Sequence, residues 1–308
     1  MTALSASTSD LLSPEAIARR RAVVRESSRH TLNRRRAFGG VAQTACYVVL
    51  VIVLIPLVAL IAYTTSRGSK GVSVAFFSQN PVPQGVPGGG IYNAIIGTLI
   101  IVGIATALAI PTGLAVSLFL IERRGRLAAT IRFVADVMSG IPSIAIGVFA
   151  YALIVVPSHS YSGLSASFAL AVLMLPIIVR ADESAMKAVP EDLWDAALAL
   201  GAKPSRVARS VVIRGALPGI VTGNLLAVAR AIGETAPLLF TALGSSLLAT
   251  NPFHPMAAMP LDIFTDGTQP YPQLQTTAWA TALVLLAGVL LLSIVARTFA
   301  AFMTRHAR

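Results

Sequence analysis

Six apolar stretches, each long enough to cross a bilayer, constrain this chain more than any other feature. They run approximately over Ala42–Tyr63, Ile91–Ile121, Phe133–Val156, Tyr161–Val179, Ala216–Ala249 and Ala278–Phe302. A membrane's hydrocarbon core is spanned by about 20 apolar helical residues. Inside lipid every backbone N–H and C=O needs an internal partner, so segments of this length read as helices. The composition agrees: 12% of the 308 residues are charged, where a soluble domain carries about 25%. The expectation is an all-α membrane protein with a six-span domain over 42–302. A cytoplasmic Arg-rich tail, 1–41, precedes it and a short cytoplasmic end, 303–308, follows. The second and fifth stretches exceed what a span needs and are expected to tilt or project. Pro56, Pro111, Pro142, Pro176 and Pro237 lie in or near spans, where neighbouring helices can re-satisfy the backbone groups freed by a kink.

The basic residues orient these spans. The tail 1–41 holds eight arginines, 122–132 holds four basic residues, 180–215 holds six and the C-terminal end holds three. The intervening loops hold two (Arg67 and Lys70), none and none. Excess Lys and Arg mark the cytoplasmic side, so both termini are expected inside, N-in/C-in. This placement explains a net charge of +11 and a pI near 10.8 without nucleic acid as a partner. The Arg-rich tail either lies on anionic lipid or acts as a topology determinant alone. The outside loops are irregular, with PQGVPGGG before Ile91 and five prolines with Asp262 and Asp266 in 250–277. They are either plain connectors or contacts for an extracytoplasmic partner.

Arg230 and Glu234 are the two charged residues between Ala216 and Thr250. Ionised side chains inside a span are costly, and by default they mark an ion or substrate path. Their spacing of four puts both on one face of a continuous helix. A guanidinium offers five N–H donors in a fork that matches an oxyanion such as phosphate. Glu234 is then the counter-charge of the empty path, with Thr235 supplying a hydroxyl beside it. The plainer alternative is a permanent ion pair that holds helices together. Two further candidates lie elsewhere. Arg180, at the expected cytoplasmic end of the fourth span, either assists anion release or anchors topology. Ser139 and Ser143 flank Gly140 and Pro142, where a helix could open and offer N–H groups to an anion or merely kink.

The segment 180–215 reads RADESAMKAVPEDLWDAALALGAKPSRVARSVVIRG. Pro190, Glu191 and Asp192 form a helix start. Leu193, Ala196, Ala197 and Leu200 recur at helical spacing until Gly201 breaks the run. A second amphipathic piece follows, with Val207, Val211 and Val212 among Arg206, Arg209 and Arg214. The pattern of Asp195-Ala196-Ala197, Gly201 and Val211-Val212-Ile213-Arg214 resembles the EAA loop of ABC importer permeases, with Asp195 for the family's Glu and Arg214 for its Pro. Three further stretches, Ser139–Ile144, Leu175–Arg180 and Ala229–Pro237, resemble permease subunits of phosphate importers. Leu238–Ala242 favours the PstA-type subunit over its PstC-type companion.

The resemblance covers roughly Ile91 to Phe302. It implies a MetI-like permease domain in a prokaryotic inner or plasma membrane. The implied partners are a homologous PstC-type permease, a pair of PstB-type cytoplasmic ATPases and a PstS-type extracytoplasmic phosphate-binding protein. Glu191, Asp192, Asp195, Ala196, Ala197 and Gly201 would then form the ATPase-coupling helix and its turn.

The chain supplies no ATP chemistry of its own. Lys70, Lys187 and Lys203 follow Ser, Met and Ala, so no P-loop Gly-Lys exists. ATP and magnesium would be bound by the partner ATPase, with no cofactor in this chain. The four histidines and Cys46 show no metal-ligand spacing, and no Ser-His-Asp set stands out. The expected role is a non-catalytic permease that moves phosphate inward by alternating access. A permease for another oxyanion, such as sulfate or molybdate, remains open on charge logic, as does a stand-alone secondary transporter or channel.

Overall fold

A computed structural model describes residues 14–83, 86 and 88–306. Residues 1–13 of the expected tail, Gln84, Gly85 and Pro87 of the Gly-rich loop, and residues 307–308 lie outside the described residues. Secondary structure among the described residues is helical, apart from one isolated bridge between Leu243 and Met256. The chain divides into two units, Met1–Tyr63 and Thr64–Arg308.

Helix α1, Pro14–Gly68, begins in the first unit. It passes through the expected tail boundary at 41/42 without a break; what changes there is composition. Its apolar part, Ala42–Gly68, is long enough to span. Tyr47 to Leu60 present a continuous exposed apolar surface, as a helix bathed in lipid requires.

The second unit begins with a short helix, α2 (Val74–Ser78), capped by the Ser73 hydroxyl, which accepts from the Phe76 N–H at 3.2 Å. The next long helices, α3 (Tyr92–Glu122) and α6 (Gly163–Lys187), run in the same direction and form the heart of the unit. A β-carbon at Gly113 would lie 2.4 Å from Ile178 Cγ2, so the two backbones meet where one residue lacks a side chain. Ile101, Ala105 and Ala109 of α3 and Ala166, Leu170, Met174 and Ile178 of α6 are essentially buried. Ser162 starts α6 by accepting from the Ser165 N–H at 3.1 Å.

Three expected spans differ from what forms. The third is not one rod over Phe133–Val156. It is α4 (Arg126–Ser139) followed by α5 (Ser143–Ser158, with one π turn over Tyr151–Val155), bent by 104° between them. Pro142 has no N–H to continue the ladder and restricts Ile141 before it. The fourth span does not stop at Val179. Helix α6 continues to Lys187 because Asp182 and Glu183 are buried inside the protein rather than exposed to water or lipid. The loop expected over 180–215 is therefore confined to 188–203, which contains α7 (Glu191–Ala199).

The fifth span is not a continuous helix over Ala216–Ala249. Helix α8, Pro204–Ile232, starts earlier and stops sooner. After Gly233–Thr235 the chain resumes as α9, Ala236–Thr241. A continuous helix would need a hydrogen bond from residue 237 to the Gly233 carbonyl. Pro237 has no N–H, and its ring clashes with the carbonyl four residues back. Residues 242–258 are then irregular, apart from the Leu243–Met256 bridge, and lead to α10 (Met259–Gly267). The last helix, α11, spans Pro272–His306.

Candidate functional site

The end of α8 carries the charged pair, and the packing of α8 fixes its depth. Gly219 and Gly223 lie against Ala185 and Ala181 of α6: β-carbons there would fall 2.8 Å and 2.5 Å from those alanine Cβ atoms. The helices are antiparallel, so Arg230 comes level with about Met174, next to the midpoint of α6, at about 1.5 Å rise per residue. Arg230 thus stands level with the middle of α6 although it is in the last turn of its own helix. Beyond it, the Thr241 carbonyl accepts from the Ser162 N–H at 3.1 Å and from the Ser165 hydroxyl at 2.9 Å. Helix α9 therefore continues toward the same membrane face, and Gly233–Thr235 is an internal interruption of one crossing. Broken helices at membrane depth are tolerated where they line a cavity or are enclosed by protein.

The pair does not sit on one continuous helix face. Glu234 lies past the helix end, where the Gly233 N–H donates to Arg230 O at 3.1 Å and the Glu234 N–H to Ala231 O at 3.2 Å. Arg230 Nε reaches Glu234 Oε1 at 3.4 Å across this tightened turn. The guanidinium side chain is 62% exposed and the carboxylate 18%. One long contact leaves the other guanidinium donors available, and the negative end of the helix dipole favours a cation at this position. The Thr235 hydroxyl donates to Pro260 O at 3.4 Å, which ties the break to the start of α10.

The second interruption, between α4 and α5, leads into a helix that touches the first. A β-carbon at Gly147 would lie 2.7 Å from Pro237 Cα, so α5 crosses α9 there. Ser143 thus lies one turn from the residue of α5 that meets the helix following the Gly233–Thr235 break. The Ser139 hydroxyl is spent on Ala135 O at 2.9 Å. Ser143 opens α5, whose first hydrogen bond runs from the Ala145 N–H to Pro142 O at 2.9 Å. The preceding N–H groups, at Ser143 and Ile144, have no place in the helical ladder.

Arg180 belongs to a different cluster, about six residues or 9 Å from Arg230 in depth. It is not at a helix end. It pairs with Asp136 of α4, approaches Glu183 Oε2 at 3.7 Å and donates to Arg132 O at 3.3 Å. Glu183, nearly fully buried, also takes Arg132 Nε at 2.6 Å and Lys187 Nζ at 2.7 Å. Arg132 Nη2 closes the set on Leu120 O at 2.7 Å. Breaking the Arg132–Glu183 pair would leave the buried Glu183 charge uncompensated, so this pair is the main structural tie between α4 and α6, and Arg180 adds the more exposed contacts to Asp136 and Arg132 O. Sequence reasoning missed Arg132 and Lys187 because basic residues flanking apolar runs read as topology markers, and it missed Glu183 and Asp136, the latter inside the expected third span, because their partners are far away in the sequence or on another helix.

The coupling candidates gather on one short helix. Glu191 and Asp192 occupy the first turn of α7 and Asp195, Ala196 and Ala197 its middle. Gly201, at φ +81, ends it in a left-handed conformation suited to glycine. Leu193, Asp195, Ala196 and Leu200 are exposed, Leu200 almost completely. Trp194 instead packs with Met186, Val212, Ala216 and Ile220, so one ring pins α7 to the adjoining ends of α6 and α8. Its signal in the sequence was the one aromatic residue in that amphipathic stretch.

The family model of binding-protein-dependent transport system inner membrane components matches residues 109–305. The chain belongs to this family. It is an ABC-transporter permease, a multi-pass inner-membrane component without catalytic chemistry of its own, working with an ATPase and a substrate-binding protein. Among curated relatives it is similar to the phosphate transport system permease protein PstA of Yersinia pestis, 36% identical over 90% of this chain and 94% of the relative. PstA of Haemophilus influenzae is 39% identical over 82% and 90%, and PstA 1 of Mycobacterium tuberculosis is 36% identical over 89% and 91%. A solved inward-facing MetNI methionine ABC transporter chain superposes with a TM-score of 0.59 at 21% identity, covering 69% of this chain and 97% of that one. This likeness carries the fold, a MetI-like permease.

Proposed function

We propose that the chain is the PstA-type permease of an ATP-driven phosphate importer and that phosphate passes the helix interruption at Arg230. The observation that carries this reading is an exposed guanidinium level with the middle of α6, held by a single long contact to Glu234, in a chain whose curated relatives are phosphate permeases. An oxyanion entering the break exchanges the Glu234 contact for charge-assisted hydrogen bonds to Arg230. The N–H groups at Ser143 and Ile144, at the other interruption, are further donors, and Thr235, donating to Pro260 O, holds the break in place. Arg180 holds the inward end of the path through its ties to α4.

The charge distribution supports an orientation with both termini and α7 in the cytoplasm. Helix α7, with Glu191, Asp192, Asp195, Ala196 and Ala197 before the Gly201 turn, docks on a PstB-type ATPase that holds ATP and magnesium. Trp194 passes its motion to α6 and α8 together. A PstC-type permease completes the pore, and a PstS-type protein delivers phosphate from outside. The deciding experiment is ATP hydrolysis by the reconstituted complex with each loaded binding protein. Phosphate is expected to stimulate it, and sulfate and molybdate are not. Equal stimulation by the three anions refutes the phosphate assignment.

A further inference from the structure

Asp182 and Glu183 are neighbours on α6, both buried, with opposite surroundings. Glu183 receives Arg132, Lys187 and Arg180. These are the cationic groups that the local packing supplies: Arg180 and Lys187 from α6 itself, Arg132 from α4, where the acidic group Asp136 is taken by Arg180. Asp182 receives none. Its side chain is fully buried at the seam with α8, where the facing hydrogen-bonding side chain is Asn224. Neither Asp182 oxygen nor Asn224 Oδ1 holds a well-formed hydrogen bond. Three acceptor oxygens thus share a buried pocket beside the tightest backbone approach in the seam, Gly223 against Ala181. An ionised carboxylate without a counter-charge is far too costly there, and buried acceptors need donors.

We infer that Asp182 is held as the neutral acid and donates its proton to Asn224 Oδ1, while the Asn224 amide donates back to the carboxyl. This cyclic acid–amide pair is a positioning contact that locks α6 to α8. Those two helices flank the 188–203 loop, and α8 leads directly to Arg230. The lock makes the pair move as one body when α7 moves.

The test uses the whole complex with its ATPases in proteoliposomes. Asp182→Asn keeps a neutral donor and acceptor, so phosphate uptake per ATP hydrolysed stays within about twofold of wild type. The exchanged pair Asp182→Asn with Asn224→Asp behaves alike. Asp182→Ala leaves the Asn224 amide unpaired, and uptake per ATP falls roughly tenfold, the scale of one buried polar group left unsatisfied. Infrared difference spectra of wild type against Asp182→Asn show loss of one carboxylic-acid carbonyl band. Loss of a carboxylate band instead overturns the inference, as does wild-type thermal stability that follows sodium or potassium concentration and vanishes in Asp182→Asn, the mark of a bound cation. The infrared and stability readouts need no transported substrate, so they stand apart from the phosphate assignment.

Discussion

The seam between α6 and α8 makes a quantitative demand on Gly223. A methyl group there would lie 2.5 Å from Ala181 Cβ, more than 1 Å inside a normal carbon–carbon contact of about 3.5–4.0 Å. Overpacking of this kind costs about 1–3 kcal/mol. The same change gains about 1 kcal/mol of helix propensity, so Gly223→Ala is expected to lose a net of roughly 0–2 kcal/mol. The decisive comparison is a double-mutant cycle. Ala181→Gly alone loses helix propensity and opens a small gap, also destabilising. Combined, the two exchange the methyl across the same contact, and the double variant should recover at least about 1 kcal/mol relative to the sum of the singles. Thermal unfolding of the purified permease in detergent reads each variant. Strict additivity, or a Gly223→Ala variant stabilised by the full propensity gain, would show that the helices are not in contact here and would remove the basis for placing Arg230 level with the middle of α6.

Two other consequences are equally direct. Trp194→Ala unpins α7 from Met186, Val212 and Ala216. ATPase binding should persist through the exposed face while phosphate-stimulated hydrolysis drops by about tenfold or more, and unchanged stimulation would deny Trp194 its role. Asp262 on α10 is pushed up to about 7, chiefly by burial and then by Asp266 beside it. The folded state therefore favours its neutral form. That contribution is complete below about pH 4, declines as the pH rises and is lost above pH 7; at the full displacement it is at most about 4 kcal/mol. Asp262→Asn should flatten this decline in stability between pH 4 and 8, and parallel pH profiles for the two proteins would contradict the burial.

The membrane class and five of the six expected spans were legible in the sequence because lipid leaves helices little competition; the remaining one, Phe133–Val156, is instead a pair of helices bent by 104°. It also located the charged pair and the loop around Asp195–Gly201, where charge and periodicity change abruptly. Helix ends were harder to read. Hydropathy ends the fourth span at Val179 because it cannot tell Glu183 in water from Glu183 buried among Arg132, Arg180 and Lys187. The interruption at Gly233 was hidden for a related reason: Pro111, Pro176 and Pro218 all lie inside intact helices, so Pro237 alone gave no warning. What distinguishes it is Gly233 four residues earlier, at the carbonyl the proline ring would strike. The tie of Thr235 to Pro260 and the pairing of Asp182 with Asn224 depend on residues far apart in the chain, beyond the reach of local pattern.

The claim that phosphate crosses the membrane at Arg230 is tested most directly by uptake of labelled phosphate into proteoliposomes carrying the assembled Arg230→Gln complex. Glutamine keeps length and hydrogen bonding but loses the charge and the fork. The complex should assemble and bind ATP as before while uptake falls to background. Uptake at the wild-type rate would contradict the account, because phosphate would then cross without the guanidinium at the broken helix.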